Sequence, residues 1–134
     1  MSLFADTSVW SLTFRRDRPQ SEPEVAALIE AFSGREAIFV TGLVLQELLQ
    51  GFAGPKTRTR IVERFSTLPL LAPTLEDHIE AAELRNHCRR SGVQVETVDA
   101  LLAHLCIRHD LTMLSVDADF THIARHSALK LWRK

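Results

Sequence analysis

The sequence predicts an α/β fold, with a mainly parallel central sheet covered by helices on both faces. Three observations carry that expectation. Short apolar runs alternate with longer segments of helical periodicity along the whole chain. Glycines stand where the helical patterns stop, at Gly34, Gly51 and Gly92. Two of the apolar runs, residues 3–5 and 111–116, end in a carboxylate, Asp6 and Asp117. In parallel α/β sheets, ligands bind beyond the carboxyl ends of the strands. Asp6 and Asp117 are therefore expected at one edge of the sheet.

Each element follows from local chemistry. Residues 3–5 read as a buried strand, and Thr7 or Ser8 can cap a short helix through Val9, Trp10 and Leu12. The polar stretch RRDRPQSEPE, broken by Pro19 and Pro23, reads as a loop. Val25, Leu28, Ile29 and Phe32 recur at helical spacing. AIFV, residues 37–40, is a second strand, and Thr41 opens a helix that ends at Gly51. Residues 56–65 form a charged helix with Ile61, Val62 and Phe65 on one side. Pro69 demotes residues 68–71 to an edge strand or a loop. Thr74 starts a long helix to Arg90, whose early Glu76, Asp77 and Glu80 suit the helix dipole. Residues 98–109 form another helix, 111–116 a strand, 119–125 a short helix and 128–132 a last strand.

The totals bound the function. A chain of 134 residues is expected to be a single domain over 1–134 and to hold a proper core. Sixteen basic and seventeen acidic residues give a net charge of -1, so total charge lends no support to nucleic-acid binding. A locally basic patch beside an acidic metal site remains compatible with it. Cys88 and Cys106 lack a C-x-x-C partner, so a disulfide framework is not expected, and a reducing cytoplasmic setting is. No signal peptide is read at the N-terminus, and no apolar run approaches the ~18 residues of a membrane span.

The acidic residues carry the chemistry. Glu47 shares a helix face with Leu43 and Val44, and a carboxylate there asks for a partner; Gln50 or solvent would serve. Asp99 falls in the first turn of its helix, where the dipole alone favours an anion. Asp117 and Asp119 flank Ala118, and either can cap the next helix. All of these positions lie at strand ends or helix starts, so the carboxylates should converge. Two carboxylates ~5 Å apart repel by roughly 3 kcal/mol at an effective dielectric near 20. Several such pairs would rival the ~5–15 kcal/mol stability of a small domain. A shared proton or a cation must relieve them. Oxygen ligands without clustered His or Cys suit Mg²⁺ or Mn²⁺, which would activate water against a phosphorus centre. Thr7 or Ser8 can orient Asp6 by hydrogen bonds.

The stretches FADTSVW, QELLQG, VDALLA and LSVDADF, in that order and over nearly the whole chain, resemble the four signature stretches of PIN-domain ribonucleases. The likeness is greatest to the VapC-type toxins of bacterial toxin–antitoxin pairs. The resemblance implies a three-layer PIN-like fold and a Mg²⁺- or Mn²⁺-dependent endoribonuclease. It implies that Asp6, Glu47, Asp99 and Asp117 are the catalytic and metal-binding acids. Asp119 matches an additional acidic position, and Ser115 a small hydroxyl two residues before the fourth acid. It also implies an RNA substrate, a homodimer, and an antitoxin protein that covers the active site, often with a basic side chain. Glu96 departs from the pattern, and the sequence leaves open whether it faces solvent or adds charge to the site.

Arg15, Arg16, Arg18, Lys56, Arg58 and Arg60 could rim the acidic cleft and hold RNA phosphates, or form solvated surface runs. Trp10 could stack on a base or sit in the core. His122 and His126 have zinc-compatible spacing without an accompanying ligand set. The sequence is also compatible with two rival functions. One is a phosphatase or phosphotransfer domain with Asp6 as nucleophile. The other is a non-catalytic, receiver-like signalling module. Ser8, Ala118 and the absence of a late lysine beside the acids favour neither.

Overall fold

The computed structural model describes residues 1–15 and 21–134. Arg16 and Arg18 lie outside the described residues. In chain order the elements are β1 (Ser2–Ala5), α1 (Thr7–Phe14), α2 (Pro23–Ser33), β2 (Ala37–Thr41), α3 (Gly42–Gly51) and α4 (Pro55–Ser66). They continue with β3 (Leu70–Leu71), α5 (Leu75–Arg90), α6 (Thr97–Arg108), β4 (Thr112–Leu114), α7 (Ala118–Arg125) and β5 (Lys130–Leu131).

The five strands form one sheet in the order β3-β2-β1-β4-β5, and every neighbouring pair is parallel. Leu3 is aligned with Ile38 on one side and with Thr112 on the other. The central strand β1 is almost wholly buried, as its unbroken apolar run requires. The chain first builds outward from β1 to β2 and β3. It then crosses back to β4 and builds the other way. Right-handed crossovers send α1–α4 to one face and α5–α7 to the other. The principal helix contacts agree, joining α1 with α2 and α3, α3 with α4, and α6 with α5 and α7. The direction of winding reverses between β1 and β4, and a ligand crevice belongs at the carboxyl end of that pair.

Local chemistry explains the boundaries, including those that differ from expectation. Asp6, not Thr7 or Ser8, caps α1: its side chain accepts from the Val9 amide. A carboxylate already at the strand end meets the first free amides of the helix, where an anion is favoured. Pro23 and Glu24 belong to α2 and not to a loop, because Pro at the first helical position loses no hydrogen bond. Pro55 opens α4 in the same way. β4 stops at Leu114, earlier than the apolar run, since the Val116 amide donates to Ser8 Oγ instead of to a neighbouring strand. β5 is likewise reduced to two residues.

Helix α5 ends in a two-bond cap: the Gly92 amide donates to the Arg89 carbonyl and the Val93 amide to the Cys88 carbonyl. Gly92 has φ +83°, the left-handed conformation this cap needs. Trp10 is fully buried and packs against Phe14, Phe32 and Phe65, so it is a core residue. Cys88 and Cys106 are buried free thiols. Among the described residues no helix is long and apolar enough to cross a membrane.

Candidate acidic site

The carboxyl ends of β1 and β4 carry the site. One residue beyond β1, the Asp6 amide donates to the Leu114 carbonyl, which extends the β1–β4 pairing to the edge. The Asp6 side chain is only 3% exposed. Its Oδ1 accepts from Ser8 Oγ at 2.6 Å and from the Val9 amide at 3.1 Å. Its Oδ2 accepts from Ser115 Oγ at 2.5 Å. Burial pushes the Asp6 carboxyl above its ordinary range, and the nearby Asp117 charge adds to this; the three hydrogen bonds oppose it.

Asp99, Asp117 and Asp119 form the compact part of the cluster. One carboxylate oxygen from each lies within 4.8 Å of the others. Asp99 sits in the first turn of α6, and Asp119 in the first turn of α7. Asp117 caps α7 by accepting from the Asp119 amide at 2.9 Å. The loop leading into α6 is tied to α5 by Arg85 Nε, which donates to the Val95 carbonyl at 2.7 Å. Burial raises the Asp99 pKa to about 6, helped in turn by the charges of Asp117, Asp119, Asp6 and Glu47. Five carboxylates thus share one electrostatic neighbourhood.

Glu47 is exposed on α3 and reaches the site through Thr7, whose hydroxyl donates to Glu47 Oε1 at 2.6 Å. Gln50, the partner that sequence spacing suggested, pairs with Gln46 instead. Glu96 is exposed at the N-cap of α6 and is absent from the charges that act on Asp99.

The basic residues are dispersed. Arg15 is exposed at the far end of α1, about 12 Å along an eight-residue helix from Asp6. Lys56 and Arg58 are exposed in the early turns of α4. The guanidinium of Arg60 stacks over the Phe14 ring at 5.4 Å, turned to the helical layer. His122 is exposed, and neither it nor His126 joins a potential metal-binding group among the described residues.

One charged centre escaped the sequence reading. Asp77 is 1% exposed and accepts from the Thr74 amide at 2.8 Å. His104 Nε2 lies 2.9 Å from Asp77 Oδ1 and Arg108 Nε lies 2.6 Å from the same oxygen. Burial pushes this carboxyl up, but the bonds from Thr74, His104 and Arg108 prevail and hold it far below the usual range. The T-x-x-D spacing of Thr74 and Asp77 was the available signal, since it marks a capping box. Nothing in the spacing of His104 and Arg108 shows that they return to it.

A set of carboxylate oxygens without imidazole or thiolate is the donor chemistry of a hard divalent cation. Burial lifts Asp99 and the crowded charges add to it, and a bound cation offsets both. Residues 3–126 match the PIN domain. Ribonuclease VapC11 of Mycobacterium tuberculosis is 32% identical over 132 residues, covering 96% of each chain. Two solved structures share the fold at lower identity. VapBC2 from Rickettsia felis bound to a DNA fragment from its promoter has a TM-score of 0.73 and 18% identity, covering 98% of both chains. Mycobacterium tuberculosis VapC20, a sarcin–ricin loop cleaving toxin, has a TM-score of 0.67 and 17% identity, covering 89% of this chain and 92% of that one. Acids at the carboxyl edge of a five-stranded parallel sheet and near full-length likeness lead to one assignment: the chain belongs to the PIN-domain family, in its VapC-type branch.

Proposed function

We propose that this chain is a divalent-metal-dependent endoribonuclease, the toxin of a toxin–antitoxin pair acting in the cytoplasm. The observation that carries the reading is the convergence of Asp99, Asp117 and Asp119 within 4.8 Å, with Asp6 and Glu47 close enough to act on Asp99. These acids would hold Mg²⁺ or Mn²⁺. When bound, such an ion supplies Lewis acidity and lowers the pKa of water. The chain's own contribution is positioning. Asp6 is fixed by three hydrogen bonds, and Glu47 is held by Thr7. Asp117 and Asp119 are exposed, so an RNA strand could reach a cation held there. Hydrolysis of the RNA backbone is supported by the ribonuclease named among the relatives.

The partners follow the same reading. An acidic cleft open to solvent suits an antitoxin segment with a basic side chain, and one solved structure of the same fold, from Klebsiella pneumoniae, is a toxin–antitoxin complex. A homodimer is supported by Leu75 and Ile79, exposed at 78% and 48% on one face of α5. Lys56 and Arg58 remain candidates for phosphate contact.

Phosphotransfer through Asp6 is disfavoured, because three hydrogen bonds hold its buried carboxylate in place, which suits a fixed ligand better than an attacking nucleophile.

The test is cleavage of defined structured RNAs, tRNAs included, by protein freed of any partner. It is run with Mg²⁺, Mn²⁺ or EDTA, with Asp6→Asn as the contamination control. Metal-dependent cleavage lost in the variant supports the proposal. Cleavage retained in EDTA or in Asp6→Asn overturns it. Recovery of a phospho-aspartate would favour the phosphotransfer rival.

A further inference from the structure

Beside the acidic cluster lies a cavity of about 340 Å³. Ser115 and Asp117 form one wall, so it opens directly from the site. Its other lining residues include Glu24, Thr121, Trp132 and Arg133. β5 runs parallel to β4, so Trp132 and Arg133 emerge at the edge that carries Asp6 and Asp117. The Trp132 amide donates to the Met113 carbonyl at 2.8 Å, which fixes that residue beside β4. The chain has two tryptophans. Trp10 is sealed in the core, whereas Trp132 is half-buried, packed against the edge of the core and lining the cavity.

The lining combines an aromatic ring, a guanidinium, a hydroxyl and a carboxylate. No ion pair joins Glu24 to Arg133 among the described residues. A hydrophobic ligand would leave these polar groups unpaired, which is costly. A nucleotide satisfies them together: its base stacks on an aromatic face, its phosphate meets a guanidinium, and an amino group on the base donates to a carboxylate. The volume lies at the lower end of the range for small-ligand sites, which suits one nucleotide.

We propose that this cavity is a nucleotide subsite, which seats the nucleotide next to the scissile phosphate in single-stranded RNA. Trp132 stacks on the base, Arg133 contacts the phosphate, and Glu24 accepts from an exocyclic amino group. The subsite therefore prefers adenine, cytosine or guanine over uracil. The assignment rests on the ribonuclease reading of the adjoining acids and deepens it, by naming what part of the substrate is read and by which side chains.

The experiment is a titration of the full chain with short single-stranded RNA oligonucleotides in EDTA, followed by tryptophan fluorescence, so that binding is read without cleavage. RNA is expected to quench the emission of Trp132. Trp132→Ala should weaken binding by about 5- to 150-fold, the range for loss of one stacking platform, and Trp132→Phe should retain most of the affinity. Arg133→Gln should reduce the salt dependence by about one phosphate contact. Glu24→Gln, near the surface at the start of α2, should bind overall but lose the preference against uracil. It keeps the proposal testable if Trp132→Ala fails to fold. Equal affinity in Trp132→Ala and wild type, or no base preference that Glu24→Gln alters, overturns the subsite. Cleavage assays separate the two readings. Base-selective binding without cleavage in Mg²⁺ or Mn²⁺ leaves the subsite standing and removes the nuclease. Metal-dependent cleavage with identical KM, kcat and base preference in wild type, Trp132→Ala and Glu24→Gln removes the subsite alone.

Discussion

Ser115 Oγ donates to Asp6 Oδ2 at 2.5 Å and accepts the Asp117 amide at 3.0 Å, so one hydroxyl links two acids separated by 111 positions (117 − 6) in the chain. Ser8 repeats the arrangement: its Oγ donates to Asp6 Oδ1 and accepts the Val116 amide. Each serine has one proton, and the carboxylate takes it. The two successive amides therefore point at Asp6 through hydroxyl relays, and the turn that carries Asp117 is registered to the end of β1.

Removing either relay should loosen the site without unfolding it. Ser115→Ala and Ser8→Ala are each expected to weaken Mn²⁺ binding by about 10- to 100-fold, as loss of a partner that orients a ligand does. Calorimetric titration measures this. Amide hydrogen exchange should quicken at Asp117 in Ser115→Ala and at Val116 in Ser8→Ala, with the Leu111 amide unchanged. Wild-type metal affinity in both variants would mean that the serines only fill space.

Asp99 links the site to stability. Its folded pKa of about 6 exceeds its ordinary value of 3.8. Between those pH values the folded chain keeps a proton that the unfolded chain has released. The metal-free protein therefore loses stability as pH rises from 3.8 through 6, and the whole penalty is present above that. Asp99→Asn should stabilise the metal-free protein at pH 7 by about 1–2 kcal/mol, allowing for solvent screening, and give no gain near pH 4. Urea unfolding at the two pH values measures it. A less stable variant at pH 7 would make Asp99 a helix-start anion and not a strained ligand.

These relationships show which parts of the structure were legible in the sequence. The strands, their parallel sense and the carboxyl-edge placement of Asp6 and Asp117 are legible in apolar runs that end in acids and alternate with helices, because such runs must be buried and helical crossovers return the chain to make the next strand parallel. The cap of α1 was misassigned, since three consecutive residues, Asp6, Thr7 and Ser8, all cap well and only the fold decides that Ser8 turns toward Val116. Glu47 was expected near the site, but its bond to Thr7 spans 40 positions and no spacing rule encodes it. Arg60 looked available for phosphate by composition, and its stacking on Phe14 depends on how α4 lies against α1. Trp132 reads as the end of the last strand, 128–132, where a tryptophan carries no local pattern that marks a cavity wall; the observed strand ends one residue earlier.

Gly92 offers a test of the α5–α6 connection. At φ +83° a Cβ is strained even though open space surrounds it. Gly92→Ala should cost about 1 kcal/mol through the backbone alone. Thermal unfolding should show a Tm lowered by a few degrees with unchanged RNA cleavage. An unchanged Tm would show that the cap shifts to another conformation.

The Asp77 centre sits at the opposite end of α6 from Asp99, and it makes a separable prediction. Thr74 and Asp77 close the start of α5, while His104 and Arg108 bring the end of α6 to the same carboxylate. Asparagine keeps one acceptor oxygen, but its amide nitrogen then faces donors that the second carboxylate oxygen had accepted. Arg108 is 44% exposed and can turn to water, so the cost is smaller than for a fully buried pair. Asp77→Asn is expected to destabilise the protein by about 2–3 kcal/mol at pH 7. A depressed folded pKa means that the advantage of the native aspartate is complete above its ordinary value of 3.8 and declines as pH falls below it. The gap between wild type and variant should therefore narrow only in acid, with urea midpoints as the measure. At a temperature where both proteins are folded, metal affinity and RNA cleavage should be unchanged, because the carboxylates that act on Asp99 do not include Asp77. Loss of metal binding in folded Asp77→Asn would show that α6 transmits strain along its length to the acidic cluster.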